Sequence, residues 1–138
     1  MKKYTEDELA IIWLNSFTGL EYKHKSEIFK VIRNKTEIKK VILSEKERIE
    51  NMIGAEKFNT LLSASNKTYL DFVLSELESK GIIAVTIESG DYPDVLKEIT
   101  CPPLVLYAKG NVKLLKTDSF AIVGSRKSLP FSVAIASE

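Results

Sequence analysis

The sequence predicts an α/β protein with an all-helical first part, residues 1–80, followed by the opening of a strand-and-helix domain over residues 81–138. Three observations carry this. Apolar residues recur at helical spacing up to Leu77, with capping signals between the stripes. After Gly81 the period shortens and β-branched residues dominate. Finally, Phe120-Ala121-Ile122-Val123 runs into Gly124-Ser125-Arg126-Lys127-Ser128, a buried-strand pattern that breaks into a turn with a helix start behind it.

The helices follow in order. Thr5 with Glu8 forms a capping-box pattern, and Leu9, Ile12 and Trp13 give the first stripe. That helix is predicted to stop near Asn15, because Thr18-Gly19 signals a turn. Ser26 opens a second helix with Ile28, Phe29 and Ile32 inside, and a short third segment spans Thr36 to Ile42. Ser44 with Glu47 repeats the capping-box pattern ahead of Ile49, Met52 and Ile53, and Gly54 is placed to end that helix. Phe58, Leu61 and Leu62 mark the next one. Tyr69, Leu70, Val73, Leu74 and Leu77 mark the longest, which ends at Lys80-Gly81. These stripes read as core.

Beyond Gly81, Ile82 to Ile87 is a strand pattern closed by Ser89-Gly90-Asp91. Tyr92-Pro93 begins a short helix reaching about Ile99. Cys101-Pro102-Pro103 enforces an extended entry to the strand Leu104 to Tyr107, and Lys109-Gly110-Asn111 turns the chain. No repeat or low-complexity linker separates the two parts, so they are expected to pack together.

The segment Phe120 to Ser128 carries the chemistry. Gly124 permits a sharp turn and close approach of a ligand to the backbone. Ser125 and Ser128 can cap the following helix, whose free N–H groups and dipole favour an anion. Arg126 supplies a permanently charged planar fork suited to phosphate, which a purely structural turn does not need. Lys127 adds a neighbouring cation. The combination predicts a phosphate-binding turn. Neither a Walker lysine pattern nor Gly-x-Gly-x-x-Gly is present, so a P-loop NTPase or a standard dinucleotide site is not supported, and no cofactor is expected.

Composition sets the outer limits. The 138 residues are 44% hydrophobic and 28% charged with net charge +1, normal for a globular protein and without a global basic signal. The distribution is uneven. Residues 23–48 hold nine Lys/Arg and four Glu, a local +5, while residues 1–22 and 49–138 each come to −2. That basic stretch suits either a polyanion or a plain solvated helix surface. Cys101 is the one cysteine, so no internal disulfide forms and a reducing compartment is indicated. Cys101 is expected to be buried or half-buried, and His24, flanked by lysines, to be exposed. Neither suits a metal or thiol site. No apolar run approaches the roughly 20 residues of a membrane span, and the first residues do not read as a signal peptide, so a cytoplasmic location is expected.

Fewer than sixty residues follow Gly81, against on the order of 100–150 for a doubly wound domain. The expectation is therefore an N-terminal portion of a longer protein, or a sheet completed by another chain.

The succession Asp91-Tyr92-Pro93, Leu96, Ile99, Pro102-Pro103, Leu106-Tyr107, Lys109-Gly110-Asn111, Ala121 to Arg126 and Ser128 resembles the DNA-processing family DprA, also called Smf, in order over about residues 81–131. The resemblance implies a sterile-alpha-motif-like (SAM-like) or helix-hairpin-helix-like domain, here residues 1–80, ahead of an extended Rossmann fold that starts at residue 81. Phe17-Thr18-Gly19-Leu20 is similar to the first half of such a hairpin, with Glu21 and Tyr22 where its second glycine usually stands. It further implies a protein without catalysis that binds and protects single-stranded DNA and helps load the recombinase RecA in natural transformation, with a possible homodimer in the full-length protein. Gly124, Ser125, Arg126 and Ser128 correspond to the family's phosphate-contacting turn, with Lys127 adjacent. Where relatives commonly continue with Tyr-Gly, this chain has Phe131-Ser132. The alternative is a Rossmann-type nucleotide-binding or nucleotide-cleaving enzyme of the lysine-decarboxylase-like group, which also uses a strand followed by a Gly-Ser turn. A third possibility makes residues 1–80 a protein-interaction module.

Overall fold

A computed structural model describes residues 3–33 and 37–119. The described chain is mostly helical, with one two-stranded sheet near its C-terminal end, an α/β composition. Helix α1 spans Glu6–Asn15, α2 Tyr22–Ile32, α3 Ile38–Ser44, α4 Lys46–Ile53, α5 Ala55–Ser63 and α6 Lys67–Ser79. Strand β1 (Ile83–Thr86) is followed by a single-turn helix α7 (Asp94–Lys97), strand β2 (Val105–Ala108) and a 3₁₀ turn over Val112–Lys116.

Helix α1 is the hub. The capping box forms as the sequence predicts: Thr5 Oγ1 accepts the Glu8 N–H at 3.3 Å, and the Glu8 carboxylate accepts the Thr5 N–H at 2.8 Å. Beyond it Ala10, Ile11, Ile12, Trp13 and Leu14 are all buried, more than the single stripe Leu9, Ile12 and Trp13 suggests. A helix apolar on every side belongs in the middle of a core. Helices α2 and α6 and both strands pack around it. Each fully buried Ile or Leu contributes about 1.5–3 kcal/mol relative to exposure. Trp13 is fixed by its indole N–H, which donates to the Ala64 carbonyl at 2.8 Å, and by Phe17, edge-on at 5.2 Å.

Three boundaries differ from the sequence reading. Helix α2 begins at Tyr22, one turn before Ser26, and Tyr22 packs half-buried against the core. Helix α3 extends to Ser44, whose hydroxyl donates back to the Val41 carbonyl at 2.8 Å. Ser44 thus lies inside α3 and the N-cap position of α4 falls to Glu45, so no capping box with Glu47 forms. Between α4 and α5, Gly54 sits at φ 85° and ψ 155°, a conformation open essentially to glycine, which turns the chain between the two helices.

The strands pair antiparallel, Ile83 opposite Ala108 and Thr86 opposite Val105. Ala84, Leu104 and Val105 belong to the same apolar cluster as Ile12, Ile28, Ile49 and Leu61, so helices and strands share one core. Arg33 adds a surface tie, its guanidinium 3.0 Å from the Glu88 carboxylate beyond β1. No helix among the described residues is long and apolar enough to cross a membrane.

Candidate nucleic-acid interface

Gly124, Ser125, Arg126, Lys127 and Ser128 lie outside the described residues, as do Phe131 and the segment Phe120 to Val123, for which the sequence predicts a strand. What is described is the framework that leads up to them. Tyr92, from the Asp91-Tyr92-Pro93 motif, is fully buried and donates its hydroxyl to the Pro103 carbonyl at 2.7 Å. The two proline-bearing motifs are therefore one latch, joining the loop after β1 to the entry of β2. Burial pushes the Tyr92 phenol above its ordinary range, with Tyr22 adding a smaller push, so the hydroxyl stays protonated and able to donate.

A second tie lies beside the first. Lys116 Nζ donates to the Gly90 carbonyl at 3.0 Å and stands 3.4 Å from one Asp94 oxygen. Lys97 Nζ stands 3.4 Å from the other Asp94 oxygen and 5.8 Å above the Tyr92 ring. Lys116 chiefly, then Lys97, holds the exposed Asp94 carboxyl below its usual range. Pro93, Asp94, Val95 and Leu115 to Ser119 enclose a hollow of about 330 Å³ at this point, immediately before the segment that carries the arginine turn.

Most of the described cations of the basic stretch 23–48 have a carboxylate or carbonyl partner, some of these supplied from outside the stretch. Arg33 pairs with Glu88, Lys40 with Glu37, Lys46 with Glu50, and Arg48 reaches Glu27 and Glu45. Lys30 also pairs with Glu27. Lys25 turns inward to the Asn15 carbonyl at 3.1 Å, closing the C-terminal end of α1, and burial lowers its affinity for the proton. Among the described residues this surface behaves as a salt-bridged helical face rather than a row of free cations.

Two side chains depart from expectation. His24 is half-buried, with Nδ1 shielded and without a partner among the described residues, because the early start of α2 carries it into a packed helix. Cys101 is exposed: Pro102 takes the buried place in that link. No group of His, Cys, Asp and Glu able to hold a metal occurs among the described residues. A hollow of about 700 Å³ lies between α1, α3 and α6 over Leu9, Trp13, Ile38, Leu70 and Leu74, far in sequence from Gly124 to Ser128.

Comparison with known proteins converges on the C-terminal segment. The family described as DNA recombination-mediator protein A matches residues 83–138, which take in β1, β2, the Tyr92 latch and the Gly124 to Ser128 turn. A DNA processing protein DprA from Bacillus subtilis (strain 168) is 46% identical over 55 residues, 39% of this chain and 18% of that protein. The chain thus spans about a fifth of the length of this relative. No solved structure matches.

Proposed function

Residues 83–138 belong to the DNA recombination-mediator protein A family, DprA, and from this premise we propose that the chain binds single-stranded DNA through the turn Gly124, Ser125, Arg126, Lys127 and Ser128. In this reading residues 1–80 form a SAM-like helical module and residues 81–138 open a Rossmann-type domain. Backbone N–H groups from Ser125 onward, with the Ser125 and Ser128 hydroxyls, meet one phosphate, while Arg126 supplies charge. Such contacts hold a backbone without reading sequence, which suits a protein that accepts any strand. The role in transformation and recombination follows: the bound strand is protected and passed to RecA in the cytoplasm, with no chemical step by this chain and, in the full-length protein, a homodimer.

The observation that carries this is the family match itself, because it runs through the turn. It also disfavours the nucleotide-cleaving alternative, whose acidic groups are not part of the matched motif series. The test is a titration of labelled oligothymidine against the full-length protein. Arg126→Ala is expected to weaken binding by roughly 1–3 kcal/mol with no change in sequence preference. Parent-like affinity in that variant would reject the assigned site.

A further inference from the structure

We propose that Lys97 and Lys116 form a second contact for the same nucleic-acid backbone, held ready by Asp94 as an internal counter-ion. This inference rests on the single-stranded DNA reading above. Two ammonium groups converge on one carboxylate, each 3.4 Å from a different oxygen. A backbone phosphate also presents two anionic oxygens, so the spacing that grips Asp94 suits phosphate as well. Lys116 is further aimed by the Gly90 carbonyl at 3.0 Å, and Lys97 lies over the buried Tyr92 ring, itself latched to Pro103. Both lysine side chains remain more than two-fifths exposed, at 42% and 44%, and so stay open to a ligand.

Reach is compatible with one strand touching both places. Lys116 precedes Gly124 by eight residues, so their Cα atoms stand at most about 28 Å apart. Single-strand binders engage roughly 4–16 nucleotides per domain, a footprint of that order. Asp94 is the carboxylate that both lysines share, so replacing it by a phosphate leaves both cations paired. Asp94 keeps the lysines gathered in the free protein and yields them when DNA arrives. Binding by the turn alone rests on a single phosphate, and this pair extends it.

The test uses the full-length protein and a thymidine oligomer of about 20 nucleotides, titrated over a range of salt. The double variant Lys97→Gln, Lys116→Gln is expected to bind about tenfold more weakly, and its salt slope to fall by about 0.7 for each lysine that neutralises a phosphate. Lys97→Arg with Lys116→Arg keeps both affinity and slope. Asp94→Asn, which removes the competing carboxylate, tightens binding about threefold. Thermal unfolding of each variant identifies any that fails to fold, and the arginine pair then decides by retaining the charge. Unchanged affinity and slope in the glutamine pair, with Arg126→Ala still weakened, would overturn this inference and leave the turn intact. Weaker binding by Asp94→Asn would overturn the counter-ion role. Were Arg126→Ala also to bind like the parent, the reading of the turn would fall with it.

Discussion

The phenolic oxygen of Tyr4 accepts the backbone N–H of Ala84 at 3.1 Å, across eighty residues of sequence. Ile87 donates towards β2, to the Leu104 carbonyl, so alternation turns the Ala84 N–H to the other edge of β1. Tyr4 thus stands where a neighbouring strand would otherwise be. Burial raises its phenol above the ordinary range, against the opposing effect of the Ala84 bond, and it remains neutral at physiological pH. Ala84 is fully buried, so Tyr4→Phe strands a donor away from water. The expected cost is about 1–3 kcal/mol. Amide exchange at Ala84 is the direct check: it should accelerate more than exchange at Val85, and equal rates in variant and parent would refute the role.

Gly54 offers a separate test of backbone geometry. An added Cβ would meet nothing within 4 Å, so any penalty at φ 85° belongs to the backbone alone. Gly54→Ala is expected to lose about 1–3 kcal/mol in denaturant unfolding. A loss below a few tenths would mean that the α4–α5 junction relaxes freely.

Thr86 predicts the opposite sign. It is fully buried at the end of β1, yet its hydroxyl has no hydrogen-bond partner among the described residues. Thr86→Val keeps the branched shape and removes the unsatisfied group, so stability should hold or rise by about 1 kcal/mol. A clear drop in melting temperature would show that the hydroxyl is satisfied in solution.

Asp94 provides a pH signature. Its folded-state carboxyl is held below the ordinary value of about 3.9, by Lys116 first and Lys97 second. A depressed carboxyl stabilises the folded form above the unfolded-state value, and that contribution fades as pH falls through the folded one. Because the group is exposed, the effect on stability is small, and the site-specific titration is the informative measurement. Carbon-detected NMR should place the Asp94 midpoint low, and Lys116→Gln should move it back up. An unmoved midpoint would break the assigned pairing.

Much of this architecture was legible from local signals. Thr5 with Glu8, Gly54, and the Tyr69 to Leu77 stripe each name a boundary or a face, because capping and periodicity act within a few residues. Ser44 misled for an instructive reason: α3 runs one residue further than its apolar stripe and takes Ser44 into its last turn, where the hydroxyl bonds back to Val41 and Glu45 takes the N-cap position. Cys101 misled because composition says nothing about which of two neighbours, thiol or proline ring, faces inward. The Tyr4–Ala84 and Tyr92–Pro103 bonds have no local signature, since their partners meet only after folding. The segment Gly124 to Ser128 reads as a turn motif in the sequence and lies within the family match, outside the described residues. The lysine pair on Asp94 has no local signature either, because Lys97 and Lys116 are nineteen residues apart.

The shared core also gives the molecule a built-in optical gauge. Trp13 is the sole tryptophan, seated in α1 against Phe17 and tied to Ala64. Since the helix that holds it packs on both strands, its emission reports melting of the strand region too. A strand of DNA gripped near residue 124 would raise the Trp13-monitored midpoint with ligand concentration, as mass action requires. Occupancy at one end can therefore be followed, label-free, from the other.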